Sequence, residues 1–188
     1  AIFASLTTYS ILFILGTFPS WLTFIILGFQ KSVFVVNNID IARVFISPIT
    51  IFNRSDFDFI SALNIKMSLI IAPLALTIAM INFRRYFPER LLALIKNARF
   101  PQLVYSSGMV CIGIVLGLAL TDTTASFGLF ELLAILNLCL ASNFAWLASV
   151  IVNDIFDQKT DTITNAARPL IQKVFSIGEY QSIGITFF

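Results

Sequence analysis

Histidine is absent from this sequence of 188 residues. Its absence excludes a histidine-containing metal site and a Ser-His-Asp triad built from this chain. Charged residues make up only 12% of the chain, about half the share found in soluble domains. The formal net charge of +2 is too small for a nucleic-acid-binding surface, so we expect no nucleic-acid partner. Two cysteines, Cys111 and Cys139, lie in apolar runs, where thiols are usually inert.

Apolar residues dominate the composition of the chain. They form 58% of the chain, and the mean hydropathy is +0.92. A water-soluble chain of this length could not bury so much apolar surface, so the lipid bilayer is its expected surrounding. Because a helix satisfies its own backbone hydrogen bonds in lipid, the sequence predicts an all-α, multi-span transmembrane helix bundle.

Four apolar runs are long enough to cross a membrane, which takes about 20 residues each. We predict spans at residues 9–29, 67–83, 102–121 and 127–152, and the start of a fifth near Ile177. Pro19 and Pro73 fall inside the first two spans. The segment between these spans, 31–66, mixes charged residues with Phe and Ile, which predicts an amphipathic stretch lying in the membrane interface.

Basic residues predict the orientation of the spans. Segments 84–101 and 153–176 fall on the same side of the predicted topology and together carry eight Lys and Arg. The positive-inside rule then places both segments, and the acidic motif within the second, on the cytoplasmic or equivalent side. Segment 31–66 faces the other way with four basic residues, which is a mild contrary signal.

An acidic motif follows the fourth span, in the pattern N-D-x-x-D-x-x-x-D. On a continuous helix its residues fall at about 0°, 100°, 40° and 80°, within one arc. Two upstream residues share this face, which predicts a cavity lined by Asn143 and Trp146, since lipid would not tolerate a polar face. The motif residues are Asn153, Asp154, Asp157 and Asp161.

Clustered carboxylates repel one another, so the motif calls for cations. Hard oxygen ligands suit Mg²⁺, which binds through a few carboxylates together with substrate phosphates. We therefore predict Mg²⁺ at Asn153, Asp154, Asp157 and Asp161, and a diphosphate clamped by Arg168, Lys159 and Lys173. The alternative is a solvated acidic cap on a membrane helix. Acids at a helix C-terminus oppose the helix dipole, however, and a cap does not explain the shared face.

The run from Asn153 to Leu170 resembles the first aspartate-rich motif of the UbiA superfamily of intramembrane prenyltransferases. The likeness continues through Asn165, Arg168 and Pro169 to Ser176 and Glu179, which form a capping box at a helix start. It covers residues of about 89–188, whereas 1–88 forms an extra N-terminal membrane segment. In members of that superfamily, a small residue, often Gly, usually stands where this chain has Lys173.

The resemblance implies a Mg²⁺-dependent enzyme that moves an isoprenoid chain from a prenyl diphosphate to an acceptor within the membrane. The four motif residues would hold the diphosphate through Mg²⁺, Arg168 would contact the diphosphate or the acceptor, and the prenyl tail would lie near Trp146. The family's second aspartate-rich motif does not occur in these 188 residues. We therefore expect them to form the N-terminal part of such an enzyme and to be inactive alone.

Two other functions remain open. The chain could be a non-catalytic accessory subunit that keeps the fold fragment and docks on a larger membrane complex through residues 1–88. A small carrier or channel component has only the intramembrane Asn residues in its favour. A second acidic motif in the remainder of the polypeptide would favour the enzyme.

Overall fold

Most of the described part of the chain is helical. The computed structural model describes residues 2–30, 36–47, 49, 59–120 and 127–187, and no strand occurs among them. The helices are α1 (Ile2–Gln30), α2 (Asn38–Ile46), α3 (Phe59–Tyr86), α4 (Pro88–Asn97), α5 (Phe100–Leu120), α6 (Leu129–Phe156), α7 (Gln158–Thr164) and α8 (Ile177–Phe187). The predicted all-α bundle is confirmed.

Four of these helices are long and apolar enough to cross a membrane, which confirms the four predicted spans of a multi-pass membrane protein. Their apolar stretches are Ser5–Gly28 in α1, Ser61–Tyr86 in α3, Phe100–Leu120 in α5 and Leu129–Phe156 in α6. Most of their large apolar side chains are exposed, as expected for helices whose solvent is lipid. The predicted start of a fifth apolar helix near Ile177 corresponds to α8.

The chain divides into two compact units, Ala1–Met67 and Ser68–Phe188, with the boundary inside α3. The predicted division at residue 88, between an N-terminal membrane segment and the UbiA-like part, stays a prediction; residue 88 is the first residue of α4.

The first unit contains α1, α2 and the first turns of α3. A capping box starts α2, where Asn37 Oδ1 accepts from Asp40 N at 2.9 Å and Asn37 N donates to Asp40 Oδ2 at 3.2 Å. Phe45 of α2 packs edge-to-face on Phe18 of α1, with ring centroids 6.0 Å apart. The amphipathic segment predicted over 31–66 therefore includes a short, well-capped helix.

The predicted end of that interfacial segment was wrong, because α3 begins at Phe59 rather than near 67. Lys66 was placed at the end of the interfacial segment, yet it lies within α3 and is only 2% exposed. Its amine donates to Val44 O at 2.6 Å and Ser47 Oγ at 2.8 Å, which allows a charged residue inside an apolar helix. Residues 31–35, 48 and 50–58 of the predicted segment lie outside the described residues.

The second unit joins α6 to α5 and α8. Polar pairs link α5 with α6: Ser106 Oγ lies 2.5 Å from Ser142 Oγ, and Asn143 Nδ2 donates to Ser107 Oγ at 3.0 Å. α8 approaches α6 so closely that a Cβ at Gly184 would lie 2.9 Å from Ile151 Cγ2. This packing brings the start of α8 to the end of α6 that carries the acidic motif.

Candidate functional site

The acidic motif does not lie on one continuous helix. α6 ends at Phe156, Asp157 adopts φ −88° and ψ 9°, and α7 begins at Gln158. The arc calculated from an uninterrupted helix is therefore wrong beyond the end of α6. The motif side chains separate into a buried pair, Asp154 and Asp161, and two exposed residues, Asn153 and Asp157.

Asp154 lies at the centre of a buried polar cluster and is 1% exposed. Its Oδ2 accepts from Asn97 Nδ2 at 2.7 Å and from the Tyr180 hydroxyl at 3.0 Å. Its Oδ1 lies 2.6 Å from Arg168 Nη1, which also donates to Asn97 Oδ1 at 3.0 Å. Side chains from three other segments of the second unit thus contact the carboxylate that α6 carries.

Asp161 lies on the other side of the same guanidinium and is 5% exposed. Its Oδ1 accepts from Asn165 Nδ2 at 2.9 Å, and its Oδ2 lies 3.8 Å from Arg168 Nε. Two carboxylate oxygens of the cluster, Asp154 Oδ1 and Asp161 Oδ2, are buried and receive no hydrogen bond. Arg168 therefore bridges the two buried acids of the motif.

The remaining predicted residues lie around this cluster. Lys159 and Lys173 are exposed, and neither makes an ion pair with a described acidic residue. Lys173 has φ 57°, the left-handed conformation that favours glycine. No three His, Cys, Asp or Glu side chains among the described residues are placed to share a metal ion. The four predicted ligands are thus not gathered into one set.

Two residues of the cluster, Asn97 and Tyr180, were missed from the sequence. Asn97 is the last residue of α4, and Tyr180 lies in the first turn of α8 and is 0% exposed. Neither belongs to a recognisable motif, and both join the cluster only through tertiary packing. The one sequence feature that could have indicated Asn97 was its position at the end of an amphipathic helix.

The start of α8 carries the predicted capping box, which is confirmed. Glu179 Oε2 accepts from Ser176 N at 2.9 Å and from Ser176 Oγ at 3.0 Å, and Glu179 N donates back to Ser176 Oγ at 3.3 Å. Arg90 of α4 lies 3.0 Å from Glu179 Oε1. The hydrogen bonds from Ser176, with a smaller contribution from Arg90, hold the pKa of Glu179 below its usual value.

A large apolar cavity adjoins the buried cluster. Its volume is about 690 Å³, and its walls come from α3, α4, α5, α6 and α8. Most of its lining is apolar, such as Leu94, Leu147 and Phe187, but Asn97 and Tyr180 also line it. Both of these residues hydrogen-bond to Asp154, although none of Asp154, Asp161 and Arg168 lines the cavity itself.

A second cavity of about 580 Å³ lies between α5 and α6 and includes the predicted cavity residue Trp146. Gln102, Ser106 and Ser142 also line it, which makes part of its wall polar. Asn143, the other predicted cavity residue, bonds to Ser107 across the helix pair.

No family model, curated protein or solved structure matches this chain.

Proposed function

We propose that this chain binds a prenyl diphosphate and contributes the first acidic motif of an intramembrane prenyltransferase. The observation that carries the proposal is that the large apolar cavity is lined by Asn97 and Tyr180, both of which hydrogen-bond to Asp154 of the buried cluster. An apolar tail and a charged head need adjoining sites of these two kinds. The cavity volume of about 690 Å³ also lies within the range of roughly 300–1,000 Å³ typical of ligand pockets.

The tail is assigned to this cavity rather than to the one at Trp146. The smaller cavity is partly lined by Gln102, whose buried Oε1 has no hydrogen-bond partner among the described residues and would gain none from a hydrocarbon chain. The larger one offers mainly aliphatic and aromatic side chains and leads to Asn97 and Tyr180.

Magnesium is part of the proposal, and the chemistry of the motif fits it. Carboxylate oxygens are its preferred protein ligands, and Asp154 Oδ1 and Asp161 Oδ2 are buried and paired only with the Arg168 guanidinium among the described contacts. When bound, Mg²⁺ would neutralise charge that develops on the leaving diphosphate. The ligands from this chain would be drawn from Asn153, Asp154, Asp157 and Asp161.

The chain's own residues would orient the donor and exclude water. The prenyl C–O bond breaks with its electron pair going to the diphosphate, while the acceptor bonds to the same carbon and loses a proton. Arg168, Lys159 and Lys173 would stabilise the released diphosphate electrostatically. The apolar cavity wall would keep water away from the reacting carbon.

Asp157 provides the clearest test of this function because it is exposed and outside the buried cluster. In protein reconstituted into nanodiscs, Asp157→Asn should abolish Mg²⁺-dependent binding of a fluorescent prenyl diphosphate. Glu89→Gln, another exposed acid of the second unit, is the matched control and should bind as the wild type does. Equal binding by wild type and Asp157→Asn in the presence of magnesium would refute the proposed site.

The accessory-subunit alternative is favoured by one observation, the ion pair that already neutralises part of the motif. In a non-catalytic protein, Arg168 and Asp154 would serve only to join α4, α6 and α8. That function requires the chain to copurify with a larger membrane complex and to show no diphosphate binding.

A further inference from the structure

We infer that Arg168 is an internal counter-ion that excludes free divalent cations from Asp154 and Asp161 until a diphosphate arrives to take its guanidinium. Metal and diphosphate would then bind together, and neither would bind tightly alone. This inference rests on the proposed function, because it concerns the order of binding at the same site.

The hydrogen bonds of the cluster determine which oxygens remain for a metal. Asp154 Oδ2 is occupied by Asn97 and Tyr180, and Asp161 Oδ1 is occupied by Asn165. The other oxygen of each carboxylate, Asp154 Oδ1 and Asp161 Oδ2, receives no hydrogen bond. Arg168 faces both of these oxygens, at 2.6 Å and 3.8 Å. A cation that binds these atoms therefore competes directly with the guanidinium.

Charge makes this competition strong. Two carboxylates and one guanidinium have a formal sum of −1, so a divalent cation would bring the cluster to +1 with Arg168 beside the metal. Repulsion between two cations is large at a buried site, where little water screens it. A diphosphate removes the conflict, because a guanidinium pairs well with phosphate oxygens through two parallel hydrogen bonds.

The position of Arg168 in the chain permits the exchange. It lies in the turn between α7 and α8, outside any helix. Apart from the two carboxylates, its side chain donates one hydrogen bond to a protein group, Asn97 Oδ1, among the contacts described. Release of the guanidinium therefore needs no helix to unwind.

Binding of Mn²⁺, measured by electron paramagnetic resonance on protein in nanodiscs, tests the inference without any enzymatic turnover. Arg168→Gln should bind free Mn²⁺ more tightly than the wild type, by roughly 5- to 150-fold, the usual range of coupling between two ligands. Inorganic pyrophosphate should raise Mn²⁺ affinity in the wild type but much less in Arg168→Gln. Lys96→Gln, an exposed cation at the end of α4, is the charge-matched control and should behave as the wild type does.

Arg168→Lys covers the case in which Arg168→Gln does not fold. This variant keeps the charge that excludes free Mn²⁺ but loses the bidentate contact with a diphosphate. Pyrophosphate should therefore raise its Mn²⁺ affinity less than it does in the wild type. The inference is overturned if Arg168→Gln, or Arg168→Lys in its place, shows wild-type Mn²⁺ affinity and pyrophosphate enhancement. Absence of metal binding in every variant, even with a prenyl diphosphate, would instead reject the proposed function and the inference with it.

Discussion

Removing Arg168 should destabilise the protein more than removing the charge of Asp154, although the two side chains form one ion pair. Arg168→Met keeps most of the side-chain volume but leaves Asp154 and Asp161 buried without their common cation. Asp154→Asn leaves Arg168 beside Asp161, 3.8 Å away, and bonded to Asn97. The formal charge of the cluster becomes −2 in the first variant and 0 in the second.

The magnitudes follow from this asymmetry. Breaking a buried ion pair by removing one partner typically costs about 3–5 kcal/mol, and Arg168→Met should fall in that range because two acids lose their counter-ion. Asp154→Asn should cost about 1–3 kcal/mol, since it weakens hydrogen bonds to a charged group while an amide oxygen remains to accept from Asn97 and Tyr180.

Equilibrium unfolding in mixed micelles with increasing SDS measures both free energies. Arg84→Met, an exposed arginine at the end of α3, controls for loss of a positive charge and should have little effect. The reasoning fails if Asp154→Asn costs as much as Arg168→Met or more. It also fails if Arg84→Met is as damaging as Arg168→Met.

Two further predictions concern the segment around the cluster. Lys173→Gly should stabilise the protein by about 1 kcal/mol, because φ 57° is costly for a residue with a side chain. Equilibrium unfolding in SDS measures this change, and an unchanged free energy of unfolding in Lys173→Gly would contradict the strain argument. Glu179→Ala should destabilise the protein above about pH 4.5, the usual value for Glu, because the pKa of Glu179 is lowered in the folded state. The difference in the free energy of unfolding between Glu179→Ala and the wild type should disappear as the pH falls through that lowered pKa. A difference that does not depend on pH would count against the capping role.

The membrane spans were predictable because lipid imposes one dominant requirement, a long apolar helix. Composition and run length therefore placed all four spans, and the S-x-x-E spacing placed the start of α8. The start of α3 was missed because Lys66 was counted among the charged residues of the interfacial segment 31–66. Its amine is satisfied by Val44 and Ser47 of a preceding segment, a tertiary contact that no local pattern encodes.

The candidate site was predictable in its residue types but not in its geometry. Helical periodicity placed the acids on one face, whereas the end of α6 at Phe156 separates them. The partners that hold Asp154 come from Asn97, 57 residues earlier, and Tyr180, 26 residues later. Spacing along one helix cannot reveal partners that distant, so the buried and exposed members of the motif could not be distinguished.

This division of the motif determines which substitutions can report on function. Asp154 and Asp161 join segments of the fold, so their loss would reduce binding through instability even if neither ever touched a ligand. Asn153 and Asp157 are exposed and make no side-chain contact that joins two helices among the hydrogen bonds described. A binding defect in Asp157→Asn, combined with an unchanged free energy of unfolding, would therefore assign the motif a ligand. A defect confined to Asp154 and Asp161, and matched by a lower free energy of unfolding, would be explained by the architecture alone.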